Sequence, residues 1–188
     1  MAVKTFTQES LTANNLNLFA TKGDTYIASA PVTFGQINNC FSDAYENYKI
    51  VITDYYATAQ GYLWMQIGYG SGSSWLGGLY YQGGFYQALG TGTITNWSNN
   101  NALPYFRICA GDTSANHMNS AYINISRPYS SSPTEYSCHT TLMFSAGLYS
   151  WFHAGKQNST QYCDSIRWSA DAGSVSAGTV SVYGVMQA

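Results

Sequence analysis

Tyr48-Lys49-Ile50-Val51-Ile52-Thr53-Asp54 and Tyr62-Leu63-Trp64-Met65-Gln66-Ile67-Gly68 decide the fold class. In the first stretch Tyr48, Ile50 and Ile52 share one face, with Lys49, Val51 and Thr53 on the other. In the second, Leu63, Met65 and Ile67 form the core face and Trp64 lies opposite. Apolar residues at every second position mark half-buried strands, because successive side chains of an extended chain point to opposite sides. The pattern returns in residues 121–127, stopped by Pro128, and in 140–144, 164–168 and the closing 178–185. Between these runs lie Gly70-Ser71-Gly72-Ser73-Ser74, Gly83-Gly84, Asn99-Asn100-Asn101 and Tyr129-Ser130-Ser131-Ser132-Pro133. Such clusters read as turns, since Gly tolerates positive φ and Asn and Ser side chains bond the local backbone. Many short strands separated by turns predict an all-β sandwich or barrel.

One segment departs from period two. Phe41, Tyr45 and Tyr48 stand at i, i+4 and i+7, and Asp43 precedes Glu46 by the three residues of a capping box. That spacing predicts a short helical turn over 41–47 leading into the first strand. Leu16 and Leu18 point to a further strand near the N-terminus. With no charge run, Pro-rich linker or fixed-period repeat, residues 1–188 read as one domain, with 1–30 as an N-terminal arm or anchoring segment.

Composition excludes several functions. The 188 residues carry 7 Lys+Arg and 9 Asp+Glu, so 9% are charged, against about 25% in ordinary soluble domains. Ser, Thr and Asn number 22, 17 and 14 and supply the polarity instead. A net charge of −2 without any basic cluster argues against nucleic acid, whose phosphates need grouped Lys and Arg. No stretch approaches the roughly 18 apolar residues of a membrane-spanning helix. Residues 1–9 lack the apolar core of a secretory signal, which predicts a chain made in a cytoplasm. Cys40, Cys109, Cys138 and Cys163 lack paired spacing and read as buried free thiols.

Catalytic and metal constellations are not found. Glu46 and Asp54 flank a strand and are the carboxylates to weigh for a shared cleft; solvated loop charges are the plainer reading. Cys138, His139, His153 and Cys163 offer zinc-ligating atoms, yet adjacent strand residues point to opposite faces. The glycines fit neither a nucleophile elbow nor a phosphate loop. The expectation is no catalytic residue, no cofactor and no metal.

The informative stretch runs from Tyr69 to Trp97. Trp75, Tyr80, Tyr81, Phe85, Tyr86 and Trp97 sit there among Gly, Ser, Gln and Thr. Rigid aromatics among small polar residues resemble antibody paratopes, which predicts a contact surface for protein or sugar; the alternative is a core beneath Gly-rich loops. Few Lys and Pro guard the strand edges, so association with copies of itself or with another protein is expected.

Phe41-Ser42-Asp43-Ala44-Tyr45-Glu46-Asn47-Tyr48 leading into Lys49-Ile50-Val51-Ile52, together with the closing Gly178-Thr179-Val180-Ser181-Val182-Tyr183-Gly184, resembles the small virion-surface proteins of tailed bacteriophages, marine and cyanobacterial phages above all. Residues 122–128 and 165–168 fit the same layout, and the resemblance spans about the last four fifths of the chain. It implies an antiparallel, jelly-roll-like β-sandwich, commonly a homotrimer, on the virion as a capsid decoration (cement) protein, knob or fibre tip. The implied partner is the major capsid protein, whose neighbouring subunits the module would clamp. The alternative is receptor binding, with a host surface glycan or protein held by the aromatic stretch. A glycan-active enzyme is the third reading.

Overall fold

The computed structural model describes residues 24–31, 35–111, 119–144 and 147–186. They form thirteen strands: β1 (Thr25–Pro31), β2 (Gln36–Ile37), β3 (Asn47–Ala57), β4 (Gly61–Tyr69), β5 (Ser74–Trp75), β6 (Tyr80–Ala88), β7 (Ile94–Leu103), β8 (Phe106–Gly111), β9 (Asn119–Ser126), β10 (Thr134–Phe144), β11 (Gly147–Gln157), β12 (Ser165–Ala170) and β13 (Val175–Val185). All pairings are antiparallel.

Eight of these strands form a jelly roll. One sheet contains the order β1-β13-β3-β9 and the other β2-β12-β4, with β8 pairing β4. Successive shell strands thus alternate between two facing sheets, except β4 and β8, which share one, as in two interlocked Greek keys. The remaining strands are insertions. β5, β6 and β7 lie between β4 and β8 in the chain, and β10 and β11 lie between β9 and β12. The two hairpins β6–β7 and β10–β11 join edge to edge and extend the first sheet as β9-β10-β11-β6-β7.

Period two is realised where the core is. Tyr48, Ile50, Ile52, Ile123, Ile125, Val180 and Val182 of the first sheet and Leu63, Met65, Ile67, Phe106, Ile108, Ile166 and Trp168 of the second all belong to one buried cluster. Each large side chain so removed from water contributes about 1.5–3 kcal/mol. Trp64 lies on the outer face and stacks on Tyr105 at 5.4 Å.

Other expectations need correction. Residues 41–46 form a turn and no helix. The Tyr48 hydroxyl accepts from Ser42 N and donates to Ser42 O, both at 2.8 Å, while Ser42 Oγ accepts from Ala44 N at 3.3 Å. These local bonds take the backbone groups that a helix would use. The aromatic spacing serves packing instead, with Phe41 and Tyr45 edge-on to Tyr48 at 4.8 and 5.9 Å. The expected arm over 1–30 ends in β1, an edge strand paired to β13; residues 1–23, with Leu16 and Leu18, lie outside the described residues.

Gly70 to Ser74 does turn, with positive φ at Gly70, Ser71 and Gly72. Gly83-Gly84 and Asn99-Asn100-Asn101 do not: they sit inside β6 and β7. All four cysteines are buried and free. Burial raises their thiol pKa values, Cys138 and Cys163 each to about 12, so none is a ready nucleophile.

Candidate functional site: an aromatic cleft at the edge of the second sheet

The second sheet stops at β8, whereas the first continues through four more strands. The free edge of β8 is therefore met by the inner face of the extension, and side chains replace a ladder there. Arg107 N donates to Gln82 Oε1 at 2.9 Å, and the Ile108 carbonyl accepts from Thr140 Oγ1 at 3.1 Å and from His153 Nε2 at 3.0 Å. A carbonyl only accepts, so Nε2 carries the imidazole proton. Nδ1 then faces the Tyr136 hydroxyl at 3.2 Å, while that hydroxyl donates to Gln82 Oε1 at 2.7 Å. This network is sealed. Burial, aided by the Arg107 charge and opposed by the Ile108 bond, pushes the His153 pKa down to about 4.

Beyond this seam lies a cleft of about 330 Å³ lined by Tyr62, Tyr86, Trp97, Ser98, Arg107, Tyr149 and Trp151. It falls at the lower end of the roughly 300–1,000 Å³ of small-molecule sites. Tyr86 and Trp151 stack at 5.5 Å, Tyr149 meets Tyr86 edge-on at 6.0 Å, and Tyr62 tilts against Trp151 at 5.8 Å. Arg107 lays its guanidinium over the Tyr62 ring, Cζ at 4.1 Å from the centroid. Strand register explains the assembly. Gly84 pairs with Trp97 on one side and His153 on the other, and across its missing side chain those two rings approach to 5.8 Å.

Several donors of the seam and of the cleft-lining residues are undischarged. Nε1 of Trp97, Nε1 of Trp151, Nε of Arg107 and Nε2 of Gln82 are sealed from solvent with no hydrogen-bond partner. Each such group costs about 1–3 kcal/mol. Trp97, Trp151 and Arg107 line the cleft, but these sealed nitrogens do not open onto it.

Of the six contact residues expected from sequence, the structure brings two to this cleft, Tyr86 and Trp97. Tyr80 is a correction: it is fully buried, its hydroxyl accepts from Ile67 N at 3.1 Å, and its ring meets Phe106 edge-on at 4.5 Å. It offers no surface. Trp75 lies on β5 in the second sheet under the Arg167 guanidinium, at 4.8 Å. Tyr81 borders a shallow depression with Glu135 and Lys156.

Phe85 lies on the other side of the extended sheet. There it stacks on Phe152 at 5.3 Å, and Phe152 on His139 at 4.2 Å. Tyr122 pairs with His139 in register, so Tyr122, His139, Phe152 and Phe85 line up across β9, β10, β11 and β6. The same alternation separates Cys138, which faces inward, from His139.

Sequence reading missed Tyr62, Arg107, Tyr149 and Trp151. Tyr149, Trp151 and His153 do recur at period two, the mark of one strand face. Glu46 and Asp54 share no cleft: they stand near opposite ends of β3, about 26 Å apart along an extended chain. Asp54 occupies a bulge with φ 57°, where the register to β9 slips.

No protein-family model matches the chain, and no curated protein matches it.

Proposed function

We propose that this chain is a non-enzymatic recognition module that holds a carbohydrate in the aromatic cleft, as the receptor-binding element of a phage virion surface. The aromatic lining, with the Arg107 guanidinium and the Ser98 and tyrosine hydroxyls set among the rings, carries the reading. Sugar rings present C–H faces that pack on aromatic rings, and hydroxyls that meet fixed donors, so both halves of the lining are used. Low overall charge suits such a contact, because stacking and neutral hydrogen bonds survive the salt that screens ion pairs.

Trp97→Ala is expected to weaken glycan binding by about ten- to hundredfold, the usual effect of truncating an aromatic anchor. Phe85→Ala, on the opposite face, leaves it unchanged. A glycan array followed by titration calorimetry measures both. A folded protein that binds no glycan, or equal losses from the two variants, sinks the reading.

The outer aromatic row favours a second reading, capsid decoration. Tyr122, Phe152 and Phe85 are about 40% exposed in a line across four strands, a surface suited to burial against a homotrimer partner or the major capsid protein. Copy number on purified virions separates the readings: hundreds of copies fit decoration, and a number near that of the tail fibres fits receptor binding.

A further inference from the structure

We infer that the sugar taken by the cleft carries a carboxylate, and that Arg107 reads it: the ligand class is an acidic glycan with a uronic- or sialic-acid residue. This rests on the glycan reading above and narrows it.

Among the described lining residues Arg107 is the one charged group, and no carboxylate lines the cleft with it. Its side chain makes no hydrogen bond or ion pair to any described residue. Its Nε is sealed from solvent, whereas the two Nη atoms are not among the sealed ones and open to the cleft. The Tyr62 ring holds the guanidinium by its face. A guanidinium donates in its own plane, so stacking one face leaves the edge free for the two parallel bonds of a carboxylate.

The neighbouring imidazole adds no competing charge, because burial and the Arg107 charge itself keep His153 neutral. A cationic ligand is disfavoured, since it would meet an uncompensated Arg. A neutral sugar would leave the Nη donors to hydroxyls alone. The surrounding rings exclude water from one side of the guanidinium, which strengthens a charge-assisted bond relative to the same pair in solvent.

The test compares acidic oligosaccharides with their own methyl esters, which keep ring and hydroxyls but remove the charge. Tetramers of galacturonate, mannuronate and glucuronate, and a sialic-acid-terminated trisaccharide, are titrated against the intact chain, each beside its ester. Tryptophan fluorescence and calorimetry give the readout. At least one acid is expected to bind ten- to hundredfold tighter than its ester. Arg107→Gln is expected to erase that difference while retaining ester-level binding.

Equal affinity for acid and ester overturns this inference and leaves the glycan reading standing. Neutral glycans that bind while every acid fails do the same. Absence of binding to any sugar, acidic or neutral, overturns both. Because the ester comparison uses the unmutated protein, a variant that fails to fold does not rescue the idea.

Discussion

Gly84→Ala is expected to lower stability by about 3 kcal/mol, the upper end of what an overpacked interior costs. A Cβ at Gly84 would collide with the Phe152 carbonyl oxygen and stand 2.6 Å from both Cα and Cβ of His153. The obstacle is largely the backbone of a hydrogen-bonded neighbour strand, and β11 has nowhere to retreat while it also pairs with β10. The same methyl would intrude between Trp97 and His153, opening the cleft wall. Gly77→Ala is the control: nothing lies within 4 Å of its added Cβ. It should change stability by less than about 0.5 kcal/mol. Urea denaturation measures both, and a Gly84→Ala protein as stable as the parent would show that β6 and β11 are not held at this spacing.

The second large effect is on acid stability. His153 takes its proton near pH 6.5 in the unfolded chain, but only at about 4 in the folded one. Between these values the unfolded state binds more protons, so protonation favours unfolding. The contribution is complete above pH 6.5 and is lost progressively as pH falls towards 4. The gap corresponds to about 3 kcal/mol at roughly 1.4 kcal/mol per unit. The physical loss is plain: a charged imidazole there is cut off from water and has the Arg107 charge nearby.

His153→Gln removes this titration and keeps an amide to reach the Ile108 carbonyl. The variant starts less stable at pH 7 but loses less between pH 7 and 4. Unfolding midpoints of both proteins at pH 7, 5.5 and 4 decide the matter. Parallel losses would mean that His153 does not govern the acid limb.

The jelly roll was legible in β3 and β4 because apolar residues recur at every second position on the face of each that meets the core. Leu63, Met65 and Ile67 alternate cleanly with Tyr62, Trp64 and Gln66, and all three apolar residues are buried. The extension hid itself for the opposite reason. β6 carries Phe85 beside Tyr86 and β11 carries Trp151 beside Phe152, one of each pair facing the cleft and the other the outer row. When both faces of a strand are aromatic, alternation vanishes from the sequence. Gly83-Gly84 then reads as a turn, although the second glycine makes room in mid-strand for two rings from its neighbours.

Arg107 was invisible for another reason. Its meaning depends on Tyr62 from β4 and Trp151 from β11, which only the topology brings together. Of the aromatics in residues 69–97, the fold brings Tyr86 and Trp97 to the cleft. Which other residues complete it depends on pairings between distant strands.

The seam between β8 and the extension is made of Gln82, Thr140, Tyr136 and His153 side chains. A main-chain ladder repeats identically whatever the sequence, but a side-chain joint is written in particular residues and is rewritten by substituting them. The two hairpins also enter the chain at two separate junctions of an eight-strand shell whose own register does not pass through them. Hairpin length, rings or the charge at the cleft rim can therefore change without altering the pairings among the eight shell strands.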